Sequence, residues 1–179
     1  MRRSVTIEKL LEFMKALGES SRGVGSVFLT GGSTAMLLGL RDQTIDVDIK
    51  LDPEPEGAFD AIAKLKNSLG INIELASPDN FIPVPKSWRA DSLFIDRFGD
   101  VDFYHFDFKS QALAKIERGH DQDIADVIAL IENGHVSPES IKSAFNEIRI
   151  SLARYPAISL EDFERKMGEI MLRVESNKC

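Results

Sequence analysis

The sequence predicts an α/β protein of the α+β kind: a small mixed β-sheet with flanking helices, followed by a helical C-terminal part. Three observations carry that expectation. Ile45, Val47, Ile49 and Leu51 alternate with Asp46, Asp48 and Lys50, the two-residue period of a half-buried strand. Residues 7–17 and 59–69 carry apolar side chains at three- and four-residue spacing instead, the period of helices packed on a sheet. From Lys109 onward the helical period persists and no alternating segment returns. The expected division is therefore an α/β core over residues 1–108 and a helical region over 109–179 packed on it.

Taken in order, Ile7, Leu10, Leu11, Met14 and Leu17 form the stripe of a first helix, with Thr6 as its cap and Gly18 as its stop. Ser20–Gly25 is turn-rich, Val27–Leu29 makes a short strand ending in Gly31-Gly32-Ser33, and Thr34–Leu40 reads as a short helix. After the Ile45–Leu51 strand, the stiff acidic loop Asp52–Gly57 leads to a helix marked by Phe59, Ile62, Leu65 and Leu69 and closed by Gly70. Ile71–Leu75 alternates as the next strand, with Glu74 on its polar face. Three prolines between Ser77 and Trp88 predict an extended, irregular loop carrying Phe81, Lys86, Trp88 and Arg89, whose tryptophan is expected to plug the edge of a core. Ser92–Phe98 and Val101–Phe106 flank Gly99-Asp100 as a hairpin, with Val101, Phe103 and His105 on one face and His105 a half-buried structural residue.

Four helices complete the chain. Gln111–Arg118 is the first, and Asp121 is expected to cap the second, with Ile124, Val127, Ile128 and Ile131 as its stripe. Ser137-Pro138 opens a third, carrying Ile141, Phe145, Ile148 and Leu152 up to Tyr155-Pro156. Ser159 caps the last, striped by Leu160, Phe163, Met167, Ile170 and Val174, and residues 176–179 are expected to fray.

Composition narrows the function classes. Lys and Arg number 22 against 29 Asp and Glu, a formal charge of -7, so a polynucleotide partner would need a local basic patch. The single cysteine, Cys179, allows neither an internal disulfide nor a cysteine-built metal site. Met1-Arg2-Arg3 precedes an amphipathic segment, and no apolar run is long enough to span a bilayer, so the expectation is a cytoplasmic protein without a membrane partner.

The chemistry concentrates between residues 28 and 51. Asp46 and Asp48 leave one face of a strand roughly 7 Å apart at Cα, so their oxygens can converge on a hard cation, for which magnesium or manganese is suited. At the other end of the unit, Gly31 and Gly32 let backbone approach a ligand, the following helix start offers N–H groups to phosphate, and Ser33 adds a hydroxyl. Arg41 has two readings, a fork for triphosphate oxygens or a surface arginine. Farther on, Lys115 and Arg118 fall three apart on one helical face, as do Asp123 and Asp126. They suit either neutralisation of phosphate charge or a salt-bridge network between two helices.

Gly-Ser at a helix start followed by Asp-x-Asp on a strand resembles the signature of the DNA polymerase beta-like nucleotidyltransferase superfamily. The segment Lys115…Arg118…Asp123-x-x-Asp126 is similar to one in the small prokaryotic AbiE-type toxin-related nucleotidyltransferases. The resemblance covers roughly residues 25–135. It implies magnesium- or manganese-dependent transfer of a nucleoside monophosphate from an NTP to an acceptor hydroxyl, on an RNA end or a protein side chain. It also implies membership of a toxin–antitoxin pair with a cognate antitoxin. Asp46 and Asp48 would be catalytic and metal-holding, and Gly31, Gly32, Ser33, Arg41, Lys115, Arg118 and Asp123 would serve the nucleotide. The superfamily usually has a third carboxylate on a neighbouring strand, for which Glu74 is the first candidate and Asp102 the second. Without it, the same fold would be a catalytically inactive nucleotide-binding or protein-interaction module.

Overall fold

The computed structural model describes residues 4–177. Their backbone sorts into two compact units, one made of the chain up to Ser77 with Ser92–Phe106, the other of Pro78–Asp91 with the chain from Asp107 on. The proline-rich segment, grouped with the sheet in the 1–108 expectation, thus counts with the C-terminal helices.

The first unit is the α+β core that the periodicities predict. It contains helix α1 (Ile7–Ser20), strand β1 (Gly25–Thr30), α2 (Gly31–Leu37), β2 (Asp46–Leu51), α3 (Ala58–Leu69), β3 (Asn72–Glu74), β4 (Leu93–Phe98) and β5 (Val101–His105). The strands form one mixed sheet in the order β3-β2-β1-β5-β4. β1 runs antiparallel to β2 and parallel to β5, β3 is parallel to β2, and β4 is antiparallel to β5. Alternation sends Val27, Leu29, Val47, Ile49, Ile73, Val101 and Phe103 to one face, where they meet Leu10, Phe13, Met14 and Leu17 of α1 and Ala58, Ala61 and Ile62 of α3 in a single core. Each such large side chain contributes about 1.5–3 kcal/mol by leaving water, and that burial holds the sheet in register. Asp46, Asp48, Asn72 and Glu74 are left on the opposite face.

Several local expectations shift. Leu11 is 46% exposed, and Phe13 takes its place in the buried stripe of α1. Gly18 does not stop that helix, which runs on to Ser20; a Cβ there would overlap the Phe98 carbonyl oxygen, so this glycine permits close packing of α1 on β4. Thr6 holds the N-cap position, but its side chain accepts no capping hydrogen bond from the helix backbone. Helix α2 begins at Gly31 rather than Thr34. In α3 the buried residues are Ala58, Ala61 and Ile62, while Phe59 is 50% exposed. Small alanines facing the sheet rotate the stripe away from the bulkier residue that periodicity favoured. Ile45 and Leu75, at strand ends, are exposed as well.

The second unit holds α4 (Trp88–Asp91), α5 (Phe108–Arg118), α6 (Asp121–Glu132), α7 (Pro138–Ile148) and α8 (Leu160–Ser176). The prolines do not keep the loop wholly irregular: Pro78–Asn80 makes a 3-10 turn and Trp88 opens a one-turn helix, with the Arg89 guanidinium 4.9 Å above its half-buried ring. Helix α5 starts before Gln111 because the Asp107 carboxylate accepts from the N–H groups of Lys109 and Ser110. At α6 the cap position falls to His120 and Asp121 is already helical. The buried face of α6 is Asp123, Asp126, Val127, Leu130 and Ile131, with Ile124 and Ile128 only half-buried. Ser137 and Ser140 cap α7 reciprocally, and after Ile148 a 3-10 stretch, Arg149–Arg154, brings Leu152 into the core. Ser159 caps α8, whose Phe163 packs edge-on against Phe145 at 4.9 Å. Ser176 is still helical and the Asn177 amide bonds Glu132, whereas Lys178, Cys179 and Met1–Arg3 lie outside the described residues. No helix among the described residues is long and apolar enough to cross a membrane.

Candidate functional site

The turn between β1 and α2 is where the first unit gathers its chemistry. Gly31 sits at φ 61°, a left-handed conformation that favours glycine, so the chain can leave an extended Thr30 and enter α2 at once. Thr30 and Asp48 are cross-strand partners, which carries the Asp48 carboxylate to this turn; a Cβ on Gly31 would lie 2.9 Å from Asp48 Oδ2. Gly32 is pressed from another side. A Cβ there would overlap Thr44 Oγ1, lie 2.7 Å from Thr44 Cβ and come within 3.4 Å of an Arg41 guanidinium nitrogen. Strand and turn, 14 residues or more apart in sequence, are thus in van der Waals contact through Gly31 and Asp48.

The β2–β3 pairing completes the acidic face. Asn72 is in register with Asp46, and Glu74 with Asp48. The Asn72 amide donates to Asp46 Oδ1 at 2.8 Å and to Glu74 Oε1 at 2.7 Å, tying the two carboxylates together. The second candidate for a third carboxylate lies elsewhere. Asp102 is in register with Ser26, four residues along β1 from Thr30 or roughly 13 Å, and it accepts two hydrogen bonds from Arg97 at 2.5 and 2.9 Å. That guanidinium holds its carboxyl below the usual carboxylate range.

Ser33 and its neighbours differ in how they are satisfied. Ser33 Oγ is buried and, among the described residues, is the buried side-chain oxygen or nitrogen with no hydrogen-bond partner. Thr34 donates to the Leu29 carbonyl, so its oxygen accepts from Nδ1–H of His105 at 3.2 Å. His105 is buried rather than half-buried.

The donor set can be tested against magnesium. Asp46 and Asp48 are hard oxygen donors on one strand face, and among the described residues no group of three or more His, Cys, Asp or Glu is placed to hold a metal ion. A pair of carboxylates fits magnesium or manganese taken up with substrate phosphates and water, the usual manner of magnesium binding, rather than an all-protein cage. The orphaned Ser33 hydroxyl beside the glycine turn agrees with a site that takes a further polar group.

The second unit builds a cluster of its own. Lys115 and Arg118 on α5 meet Asp123 and Asp126 on α6 across the left-handed Gly119, where the chain reverses. Lys115 Nζ lies 2.5 Å from Asp126 and 3.6 Å from Asp123. Arg118 forks onto both oxygens of Asp123, and Gln122 donates to Asp126 at 3.2 Å. Lys115 and both aspartates are buried. In the loop before α4, Lys86 donates its backbone N–H to Glu147 and Phe81 is exposed.

Burial alone would raise the Asp123 pKa, but the Arg118 hydrogen bond and the charges of Lys115 and Arg118 outweigh it and hold the group below the ordinary carboxylate value. A depressed folded-state pKa stabilises above the unfolded value, near 3.9, and that contribution is lost as pH falls through the folded one. The helical unit is expected to lose stability below about pH 4, and less steeply in Asp123→Asn. Fluorescence of Trp88, the single tryptophan and part of this unit, reads both titrations.

Asn72 is the site-facing residue that sequence reasoning missed. The signal was present, since alternation in Ile71–Leu75 puts Asn72 on the same face as Glu74. Among protein families, one described as "Nucleotidyltransferase of unknown function (DUF6036)" has a model that matches residues 6–173. No curated protein and no solved structure matches the chain.

Proposed function

Because this chain belongs to the family of nucleotidyltransferases of unknown function DUF6036, we propose that it moves a nucleoside monophosphate from an NTP to an acceptor hydroxyl at the β1–α2 turn. The observation that carries the proposal is the contact between the glycine turn and the acidic strand, Gly31 against Asp48, with Asp46 on the same face. Asp46 and Asp48 would hold magnesium or manganese, which would supply charge neutralisation for in-line displacement at the α-phosphorus, where the acceptor oxygen bonds to phosphorus as the bond to the departing pyrophosphate breaks. Gly31 and Gly32 bring backbone N–H groups to the phosphates, and Ser33 and Arg41 add side-chain donors. Glu74 takes the proton of the acceptor hydroxyl. Asn72 occupies one oxygen each of Asp46 and Glu74 and so orients the other oxygen of each for this work. Roles toward the nucleotide for Lys115, Arg118 and Asp123 rest on the motif resemblance.

The same resemblance, to AbiE-type toxins, supports an acceptor on an RNA end or a protein side chain and a place in a toxin–antitoxin pair with a cognate antitoxin. A second reading is a nucleotide-binding or protein-interaction module without chemistry. It is favoured by the lack, among the described residues, of a third metal-ligating side chain converging with Asp46 and Asp48.

Calorimetric titration with each of the four NTPs, with and without magnesium, tests the proposal. Magnesium-dependent binding is expected, weakened at least ten-fold in an Asp46→Asn, Asp48→Asn double variant. No magnesium-dependent binding by the wild-type protein would overturn it. Transfer of labelled nucleotide that is lost in Glu74→Gln then separates the enzyme from the inactive module.

A further inference from the structure

The glycine turn is tied down from behind by buried hydrogen bonds. The carbonyl of Leu29, next to last in β1, accepts from the Phe106 backbone N–H at 2.9 Å and from the Thr34 hydroxyl at 3.1 Å. The Thr34 bond closes a ring around Thr30, Gly31, Gly32 and Ser33. Thr34 Oγ1 has one proton, used on Leu29, so toward His105 it is the acceptor and Nδ1–H donates at 3.2 Å. His105 is in register with Leu29, and both His105 and Thr34 are buried, where a hydrogen bond is stronger than in water.

We propose, on the strength of the nucleotidyl-transfer reading, that His105 is a positioning residue for the phosphate turn: through Thr34 it fixes the conformation in which Gly31 meets Asp48. Adjacent glycines give residues 31 and 32 wide backbone freedom, and freedom lost at the moment of binding weakens binding. The Thr34 ring removes it beforehand. Its base is anchored on two strands, since Leu29 belongs to β1, His105 ends β5 and Phe106 follows it. Within that ring the buried Ser33 Oγ keeps its unmet hydrogen-bonding capacity for a ligand. A packing role at position 105 would be filled by leucine, a donor role by asparagine, whose amide nitrogen lies as many bonds from the backbone as Nδ1.

Magnesium–NTP calorimetry with each of the four NTPs, together with backbone nitrogen NMR relaxation, tests this on the full chain in His105→Leu, His105→Asn and Thr34→Val; circular dichroism checks that each variant folds. His105→Leu and Thr34→Val are expected to raise the dissociation constant at least five-fold, and the double variant no further than the weaker-binding single one, because both break the same link. His105→Asn is expected to stay within about two-fold of wild type, since it keeps the donor. Order parameters of Gly31 and Gly32 are expected at about 0.85 in wild type and His105→Asn, and to fall in His105→Leu and Thr34→Val. Should His105→Leu not fold, Thr34→Val, nearly the same shape as the residue it replaces, carries the test. Order parameters unchanged in Thr34→Val, a dissociation constant for that variant matching wild type, or an asparagine variant that binds as weakly as the leucine one overturns the proposal. A wild-type protein that binds no NTP overturns the nucleotidyl-transfer reading, and the order parameters then still decide whether His105 holds the turn.

Discussion

Replacing Lys115 with methionine is expected to destabilise the helical unit by about 3–5 kcal/mol, because it removes the buried cation that two buried carboxylates share. Lys115 is in ion-pair contact with both Asp126 and Asp123, and all three are buried. Arg118 would still serve Asp123, so the main loss falls on Asp126, to which Lys115 Nζ donates at 2.5 Å. Removing the stranded charge should recover much of the loss. Lys115→Met with Asp126→Leu is expected to lie well above the single variant, since a buried ion pair often exchanges for apolar side chains at little net cost. Urea titration followed by Trp88 fluorescence measures both. A Lys115→Met protein as stable as wild type would show that the network contributes nothing to holding α5 on α6.

Gly32→Ala is expected to cost about 1–3 kcal/mol of stability, as overpacking does, and to weaken magnesium–NTP binding at least ten-fold. The added methyl would overlap Thr44 Oγ1 and lie 2.7 Å from Thr44 Cβ, a distance that no rotation of the threonine can relieve. Thr44 is also pinned by backbone hydrogen bonds with Val5 at 2.7 and 3.1 Å. The strain must therefore pass into the β1–α2 turn, where Gly31 touches Asp48. Thr44→Gly in the same chain removes the obstructing atoms and should restore part of the binding. Calorimetry on the single and double variants reads the effect, and an unaffected Gly32→Ala would remove the turn from the nucleotide site.

Much of the fold was legible because the signals are local. Alternation over residues 45–51 is enough to put Asp46 and Asp48 on one face, and helical spacing is enough to find α1, α3 and the C-terminal helices. The phase of those helices was less legible. In α1 the stripe needs Phe13 rather than Leu11, and in α3 it needs Ala58 and Ala61 rather than Phe59. Periodicity ranks residues by apolarity, whereas the sheet selects those whose size fits under it. Gly18 misled for a related reason, since a glycine that ends a helix and one that admits a neighbouring strand look alike in sequence.

What the sequence determined by itself is the type of the five strands and of the longer helices, the shared face of Asp46 and Asp48 and the glycine entry into α2, all set by interactions within a few residues. What only the tertiary structure decided is who stands beside whom. Glu74 comes next to Asp48 because β3 adds in parallel to β2, and Asp102 goes to Arg97 because β4 and β5 form a hairpin at the other edge. Lys115 faces Asp126 only because Gly119 reverses the chain and folds α6 back on α5. Strand order and helix pairing are chosen by burying whole apolar faces at once, and no local stretch of residues carries that information.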